Sequence, residues 1–289
     1  MSAARAPAGE AMASRDLLAA LAVVVIWGLN FVVMKWGLRY FTPFQLGAVR
    51  YVFAALPLVF FLKPPRMHWR WVLRFGLFQG VGQFGFGFFA LKLGMAIAAA
   101  GLVCFAMNFI GPGAKGTGVG GATLVGICLT LCAASCWAVS NIVSRLAQQE
   151  SPGYNPLSFV AWSSLVPVLP FLALTAVTDA DAGRWLHADA WAALPPIAWA
   201  AAAYLGWVAT IVGYGLWTSL LTRYPANRVA PFSLGVPVVG LAAGLLALGE
   251  VVTAWQWAGA ACVVMALVCV VPGPRWSRRR SPPRTPSGP

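Results

Sequence analysis

The sequence predicts an all-α polytopic membrane protein, and three observations carry that reading. Hydrophobic residues make up 60% of the chain and charged residues 9%, against about a quarter charged in soluble domains, so there are too few charges to clothe a surface facing water. The apolar residues fall into long unbroken runs of roughly 17 to 25 residues, the helix length that crosses a hydrocarbon core of about 30 Å. The runs also lack the alternating strand pattern of a β-barrel. Helices are then the structure that satisfies every backbone N–H and C=O in lipid.

The runs are Leu17–Trp36, Phe44–Leu62, Trp71–Leu91, Ala96–Ile110, Ala122–Val143, Pro156–Val177, Trp191–Leu220, Val229–Leu248 and Ala254–Val271. No cleavable signal is evident, and the run from Leu17 is long enough to be the first membrane helix. Pro195 and Pro196 set the helical start of the long seventh run near Ala198. Five segments result: 1–16 as a cytoplasmic N-terminal segment, 17–110 as a first repeat, 111–121 as a Gly-rich linker, 122–272 as a second repeat, and 273–289 as a basic tail. The tail's Pro, Ser and Arg content predicts disorder.

The net charge of +13 is distributed in a way that argues against nucleic-acid binding. Lys63, Arg66, Arg70 and Arg74 form one cluster and Arg275, Arg278, Arg279, Arg280 and Arg284 another, both outside the apolar runs. Such clusters mark cytoplasmic loops. All six cysteines lie inside apolar runs, so neither a disulfide framework nor a zinc ribbon is expected. Cys128, Cys132 and Cys136 follow one helix face. Small apolar side chains at a helix contact explain them more simply than a metal- or thiol-binding face.

The chain repeats itself. Trp27-Gly-Leu-Asn30-Phe-Val-Val-Met-Lys35 matches Trp137-Ala-Val-Ser-Asn141-Ile-Val-Ser-Arg145 in type and order; Gly85–Phe89 matches Gly213–Trp217, and Ala100–Met107 matches Ala258–Met265. Two similar halves are the pattern of secondary transporters, with the solute site at the midplane between them. The halves are unequal. Thirty-three residues separate Arg223-Tyr224 from Ala258-Gly259, but four separate Gly94-Met95 from Ala100-Gly101. The first half therefore lacks about twenty-nine residues, one helix with its loop, matching the second-half segment Pro231–Glu250.

Several stretches carry a family resemblance: Ile26–Lys35, Val49-Arg50-Tyr51, Gln83–Phe86, Ser135–Asn141, Val208–Trp217 and Arg228–Leu241. They resemble the EamA-type transporters of the drug/metabolite transporter superfamily, nearest the O-acetylserine/cysteine exporter branch, over roughly residues 15 to 275. The resemblance implies ten helices as two inverted five-helix repeats, cytoplasmic termini and a central cavity open alternately to each side. Here eight or nine membrane helices are expected instead. If all nine runs cross, the arginine-rich tail, Arg223 and Arg228 end outside and Asp179, Asp181 and Asp189 inside, inverting the positive-inside bias. If the short run Ala96–Ile110 does not cross, the second half recovers the family orientation.

Charges within a membrane are costly and point to function. Arg50 lies about 10 Å along its helix at 1.5 Å per residue. Two roles stay open for it: binding a solute carboxylate, or holding neighbouring helices through their carbonyls. Asn30 and Asn141 read as repeat partners, either hydrogen-bonding between helices or touching solute. Trp27 and Trp137 accompany them, and Gln83, Tyr214 and Trp217 join the substrate path by resemblance. Pro231 and Pro237 read as kinks, and Gly240 and Gly244 as a close-packing GxxxG pair. Lys35 and Arg39 sit at a helix end, as does Glu250.

Gly80, Gly82 and Gly85 match GxGxxG inside an apolar run with no strand before it, which does not make a dinucleotide site. No nucleophile with a base, metal cluster or phosphate loop is visible, so neither enzyme activity nor a cofactor or metal is expected. The expected function is export of small amino-acid-like metabolites by alternating access. A carrier of other solutes such as drugs is an alternative, and an internally deleted, non-transporting remnant is another. Expected partners are membrane lipid, a small solute and, to fill the open wall, a homodimer mate. The expected location is the bacterial inner membrane, with the N-terminus and tail cytoplasmic.

Overall fold

The structure is a computed structural model that describes residues 12–92 and 121–249, and of the last run residues 254, 257–262 and 265. The run Ala96–Ile110, with Cys104, and also Cys269, Glu250 and the tail 273–289, lie outside the described residues.

The described residues form helices, with no strand among them. The long ones are α1 (Ser14–Gly37), α2 (Pro43–Val59), α3 (residues 69–92), α4 (Gly121–Glu150), α5 (Pro156–Thr178), α6 (Pro196–Arg223) and α7 (Ala226–Leu248). Five of them, α1, α4 to α7, are long and apolar enough to cross a bilayer, and α2 is a shorter apolar helix. Local chemistry sets their ends. The Gln45 side chain accepts the Thr42 N–H at 3.2 Å where α2 begins, with Pro43 in its first turn. Asn155 caps α5 by accepting the N–H groups of Leu157 and Ser158. Pro196 opens α6, leaving Trp191 on the separate short helix Ala188–Ala192. Gly249 ends α7 in the left-handed region, φ 65°, donating its N–H to the Gly244 carbonyl.

The helix ends sort to two faces of the bundle. At the first, Arg223 pairs with Asp16 at 2.6 Å, Arg70 pairs with Glu150, and the Trp162 indole donates to the Leu62 carbonyl at 3.0 Å. At the second, the Thr42 hydroxyl donates to the Asp179 carboxylate. Helices α1, α3, α5 and α7 thus start at the first face, and α2, α4 and α6 at the second. Helix α4 runs opposite to its repeat partner α1, and α6 opposite to α3, so the two halves are inverted. The chain leaves α3 and enters α4 at the same face. Arg70 meets Glu150 and Gly82 meets Cys136, which makes α3 and α4 antiparallel along their length. This is the arrangement the charge distribution favours for the second half.

Helix α7 belongs to the second half and lies against α1. It packs on α1 so closely that a Cβ on Gly28 would lie 2.4 Å from Val239, and one on Gly240 would lie 2.9 Å from Phe31. Through the Trp27–Trp137 register, Ala138 of α4 stands where Gly28 stands in α1. Ala138 is exposed, and with Leu131, Ala134, Ser135, Ile142 and Leu146 it forms an outward stripe along α4. A first-half counterpart of α7 would cover that stripe. Pro231 lies in a 3₁₀ turn, Ala230–Leu234, that interrupts α7, and Pro237 in the first turn after it. Cys136 packs over Gly82, while Cys128 and Cys132 face outward. Aromatic rings mark both faces: Trp69 with Trp162 at the first, and Phe41, Trp185 and Trp191 at the second, where membrane proteins meet the interface.

The α1–α7 contact makes a direct prediction. Gly28→Ala overpacks it and is expected to destabilise the purified protein by about 1–3 kcal/mol, read as a lower thermal midpoint in detergent. Gly87→Ala, with no atom within 4 Å of the new Cβ, is expected to leave the midpoint unchanged. Equal midpoints for the two variants would contradict the contact.

Candidate functional site

The third helix of each half changes its winding in mid-span. In α3 the stretch Gly76–Gly82 is π-helical, and in α6 the stretch Tyr204–Tyr214. Such wide turns shift carbonyls out of the i to i−4 ladder and recur at functional positions. Thr210 shows the local effect, since its hydroxyl donates to the Leu205 carbonyl five residues back, at 2.8 Å.

These two segments bring four polar side chains to the middle of the bundle, at i, i+4 spacing on each helix: Gln79 and Gln83 from α3, Thr210 and Tyr214 from α6. The Tyr214 hydroxyl donates to Gln83 Oε1 at 3.2 Å, joining the halves directly. Gln79 Nε2 donates to the Tyr51 hydroxyl at 3.4 Å. Between them lies Arg50, 2% exposed. Its Nε donates to Thr210 Oγ1 at 2.8 Å and its guanidinium carbon stands 4.0 Å from the centroid of the Phe84 ring. The α6 backbone closes on α2 here, for a Cβ on Gly206 would fall 2.8 Å from the Arg50 carbonyl oxygen.

An aromatic group adjoins this cluster. The Trp27 ring centroid lies 6.4 Å from that of Trp137, 4.7 Å from Tyr214 and 5.3 Å from Trp217. The Trp27 indole donates to the Ala209 carbonyl at 3.1 Å, made reachable by Gly213, where a Cβ would sit 2.5 Å from Trp27 Nε1. The Trp217 indole donates to Asn141 Oδ1 at 2.8 Å, and Asn141 Nδ2 donates back to the Trp137 carbonyl at 3.1 Å.

Seven of the eight path residues named from sequence therefore form one connected group: Trp27, Arg50, Gln83, Trp137, Asn141, Tyr214 and Trp217. Asn30 differs. It follows its tryptophan by three residues and Asn141 by four, a rotation of about 100° around a helix. The Asn30 Oδ1 is buried with no hydrogen-bond partner among the described residues. Tyr51, Gln79, Phe84 and Thr210 belong to the group and were not singled out as path residues, although Tyr51, Phe84 and Thr210 lie in the resemblance stretches. Among the described residues no three His, Cys, Asp or Glu side chains converge as a metal site.

At the first face a second polar group ties α1, α4 and α6 together. Asp16 takes Arg223 on one oxygen and the Tyr224 hydroxyl on the other, at 2.6 and 2.8 Å, and Arg145 donates to the Tyr224 carbonyl at 3.2 Å. Burial and the Asp16 carboxylate push the Tyr224 phenol above its ordinary range, so it stays a donor.

An inverted helical bundle with polar side chains gathered at its midplane and an apolar exterior defines a polytopic membrane protein of the transporter class. The EamA-like transporter family model matches residues 15–110 and 124–271, and the chain belongs to that family. It is 36% identical over 296 residues, 92% of this chain and 98% of the relative, to the "Probable amino-acid metabolite efflux pump" of Escherichia coli (strain K12). To the protein of the same description from Salmonella typhimurium (strain LT2) it is 37% identical over the same shares. An "Uncharacterized transporter YoaV" of Bacillus subtilis (strain 168) is 22% identical over 82% of this chain and 90% of its own. Because 92% of 289 residues is about 266, some 30 of the 296 aligned positions have no residue in this chain. That number is similar to the difference of about twenty-nine residues between the two halves of the sequence. A solved structure described as the crystal structure of a protein shares the fold, with a TM-score of 0.66 at 18% identity over 93% of this chain and all of its own.

Proposed function

We propose that this protein exports small amino-acid-like metabolites by alternating access, with Trp27, Arg50, Gln83, Trp137, Asn141, Tyr214 and Trp217 along the polar part of the path and Asn30 beside it. The observation that carries this reading is the polar and aromatic group held between the interrupted third helices of the two inverted halves. Wide helical turns at that depth leave carbonyls and side chains free to exchange partners as the halves rock. The relatives described as amino-acid metabolite efflux pumps support the solute class. Nothing in the group reads as catalytic machinery, so transport without covalent chemistry is the reading we adopt.

On this reading the basic first face, with Lys63, Arg66, Arg70, Arg74, Arg223 and Arg228, lies in the cytoplasm of a bacterial inner membrane together with the N-terminus and the arginine-rich tail, the orientation that the positive-inside bias supports. A second reading has its own observation. The uncovered stripe on α4 fits a remnant that does not transport alone, or a homodimer in which a second copy covers the stripe. A carrier for cationic drugs fits less well, since the buried charge at the path is itself positive.

Flux measured with the purified full chain in proteoliposomes tests the function. Amino-acid-like solutes are expected to move down their gradients well above protein-free vesicles; no flux for any of them would sink the proposal and leave the remnant. A reporter fused after Pro274 tests the orientation, with a cytoplasmic signal expected and a periplasmic signal contradicting it.

A further inference from the structure

Arg50 carries a charge that no acidic side chain among the described residues balances. Of the seven acidic residues, Glu10, Asp16, Glu150, Asp179, Asp181, Asp189 and Glu250, none lies in the middle of an apolar run. Asp16 is engaged by Arg223, Glu150 by Arg70 and Asp179 by Thr42, all at the faces of the bundle. The buried charged residues among those described are Asp16 and Arg50, and only Asp16 has a counter-ion. A guanidinium kept in low dielectric without an anion is costly. A purely structural arginine would be expected to spend its N–H groups on neighbouring carbonyls. Instead Nε is held by Thr210 Oγ1, one face is covered by Phe84, and Nη1 is buried with no acceptor.

Resting on the transport reading above, we infer that Arg50 is the anchor for the carboxylate of the solute. Thr210 and Phe84 hold the guanidinium still, and Nη1 is left to donate to a carboxylate oxygen, a charge-assisted bond. The carboxylate supplies the missing negative charge. The Tyr51 and Tyr214 hydroxyls and the Gln79 and Gln83 amides, already linked in pairs beside it, offer exchangeable donors and acceptors for the rest of a small polar solute. The ligand class is a compact organic carboxylate such as an α-amino acid, and an ester or decarboxylated amine of the same skeleton is discriminated against.

The test uses the purified full chain with two probe sets: L-serine, L-serine methyl ester and ethanolamine; and L-cysteine, L-cysteine methyl ester and cysteamine. Binding is read as a rise in thermal midpoint in detergent, and transport as flux in proteoliposomes. The acids are expected to act at concentrations at least about tenfold lower than their esters and amines, a ratio worth about 1.4 kcal/mol. In Arg50→Gln, acid and ester are expected to become equivalent; Arg50→Lys, which keeps the charge and loses the planar fork, retains part of the preference. Wild-type protein that treats acid and ester alike, or binds neither acid, overturns the inference, and so does Arg50→Gln with the full preference intact. Should Arg50→Gln fail to fold, the wild-type series and Arg50→Lys decide alone. Flux without acid preference would reject the anchor and keep the transport reading. Acid-selective binding without flux would keep the anchor and count against transport.

Discussion

The hydrogen bond from Arg50 to Thr210 is the interaction on which the interior of this protein turns. It joins α2 of the first half to the π-helical stretch of α6 in the second, between residues 160 apart in sequence. A guanidinium at this depth needs fixed acceptors, and a regular helix has no backbone acceptor to spare in mid-span. In α6 the acceptor is instead a side chain: the Thr210 hydroxyl donates to the carbonyl five residues back, across the wide turn, while its oxygen receives Arg50. The close approach at Gly206, the tilt of Trp27 against Gly213, and the Tyr214–Gln83 bond then follow from how tightly α6 is drawn onto α2 and α1.

The two halves use the same parts unequally. Each has a third helix with a π-helical stretch, and each brings a tryptophan on its first helix to the centre. Yet the cation, Arg50, belongs to the first half alone; the corresponding region of the second, near Ala161 and Trp162, is uncharged. Among the described residues, the covering helix belongs to the second half. Helix α1 is sheathed by α7, while the matching surface of α4 looks outward with its small side chains uncovered. Small residues allow backbones to approach closely, so that stripe has the shape of a helix contact with no partner helix among the described residues.

Much of the fold was legible because hydrophobic run length is a strong signal in a membrane. The start of α5 at Pro156 coincides with the start of its apolar run, and α6 starts at Pro196, two residues before the Ala198 expected from Pro195 and Pro196, since proline is suited to a first helical turn. The tryptophans, Asn141, Gln83 and Tyr214 could be named because their stretches repeat within the chain or resemble a family. The π-helical stretches could not be read. They arise where tertiary contacts on Gly76, Gly206 and Gly213 outweigh local helical preference, and glycines in an apolar run equally fit ordinary close packing. Thr210 and Gln79 were missed because their significance lies in partners on other helices. Asn30 and Asn141 look alike by type, but the single extra residue after Trp137 turns Asn141 toward Trp217 and leaves Asn30 on a different bearing.

A double-mutant cycle between Arg50→Met and Thr210→Val, followed by thermal or denaturant unfolding of the purified full chain, tests the central claim that these two residues couple the halves. Hydrogen bonds to charged groups contribute about 1.5–3 kcal/mol, and the cycle is predicted to return a coupling energy of at least about 1 kcal/mol. Effects that add to within about 0.5 kcal/mol, as independent sites do, would contradict it.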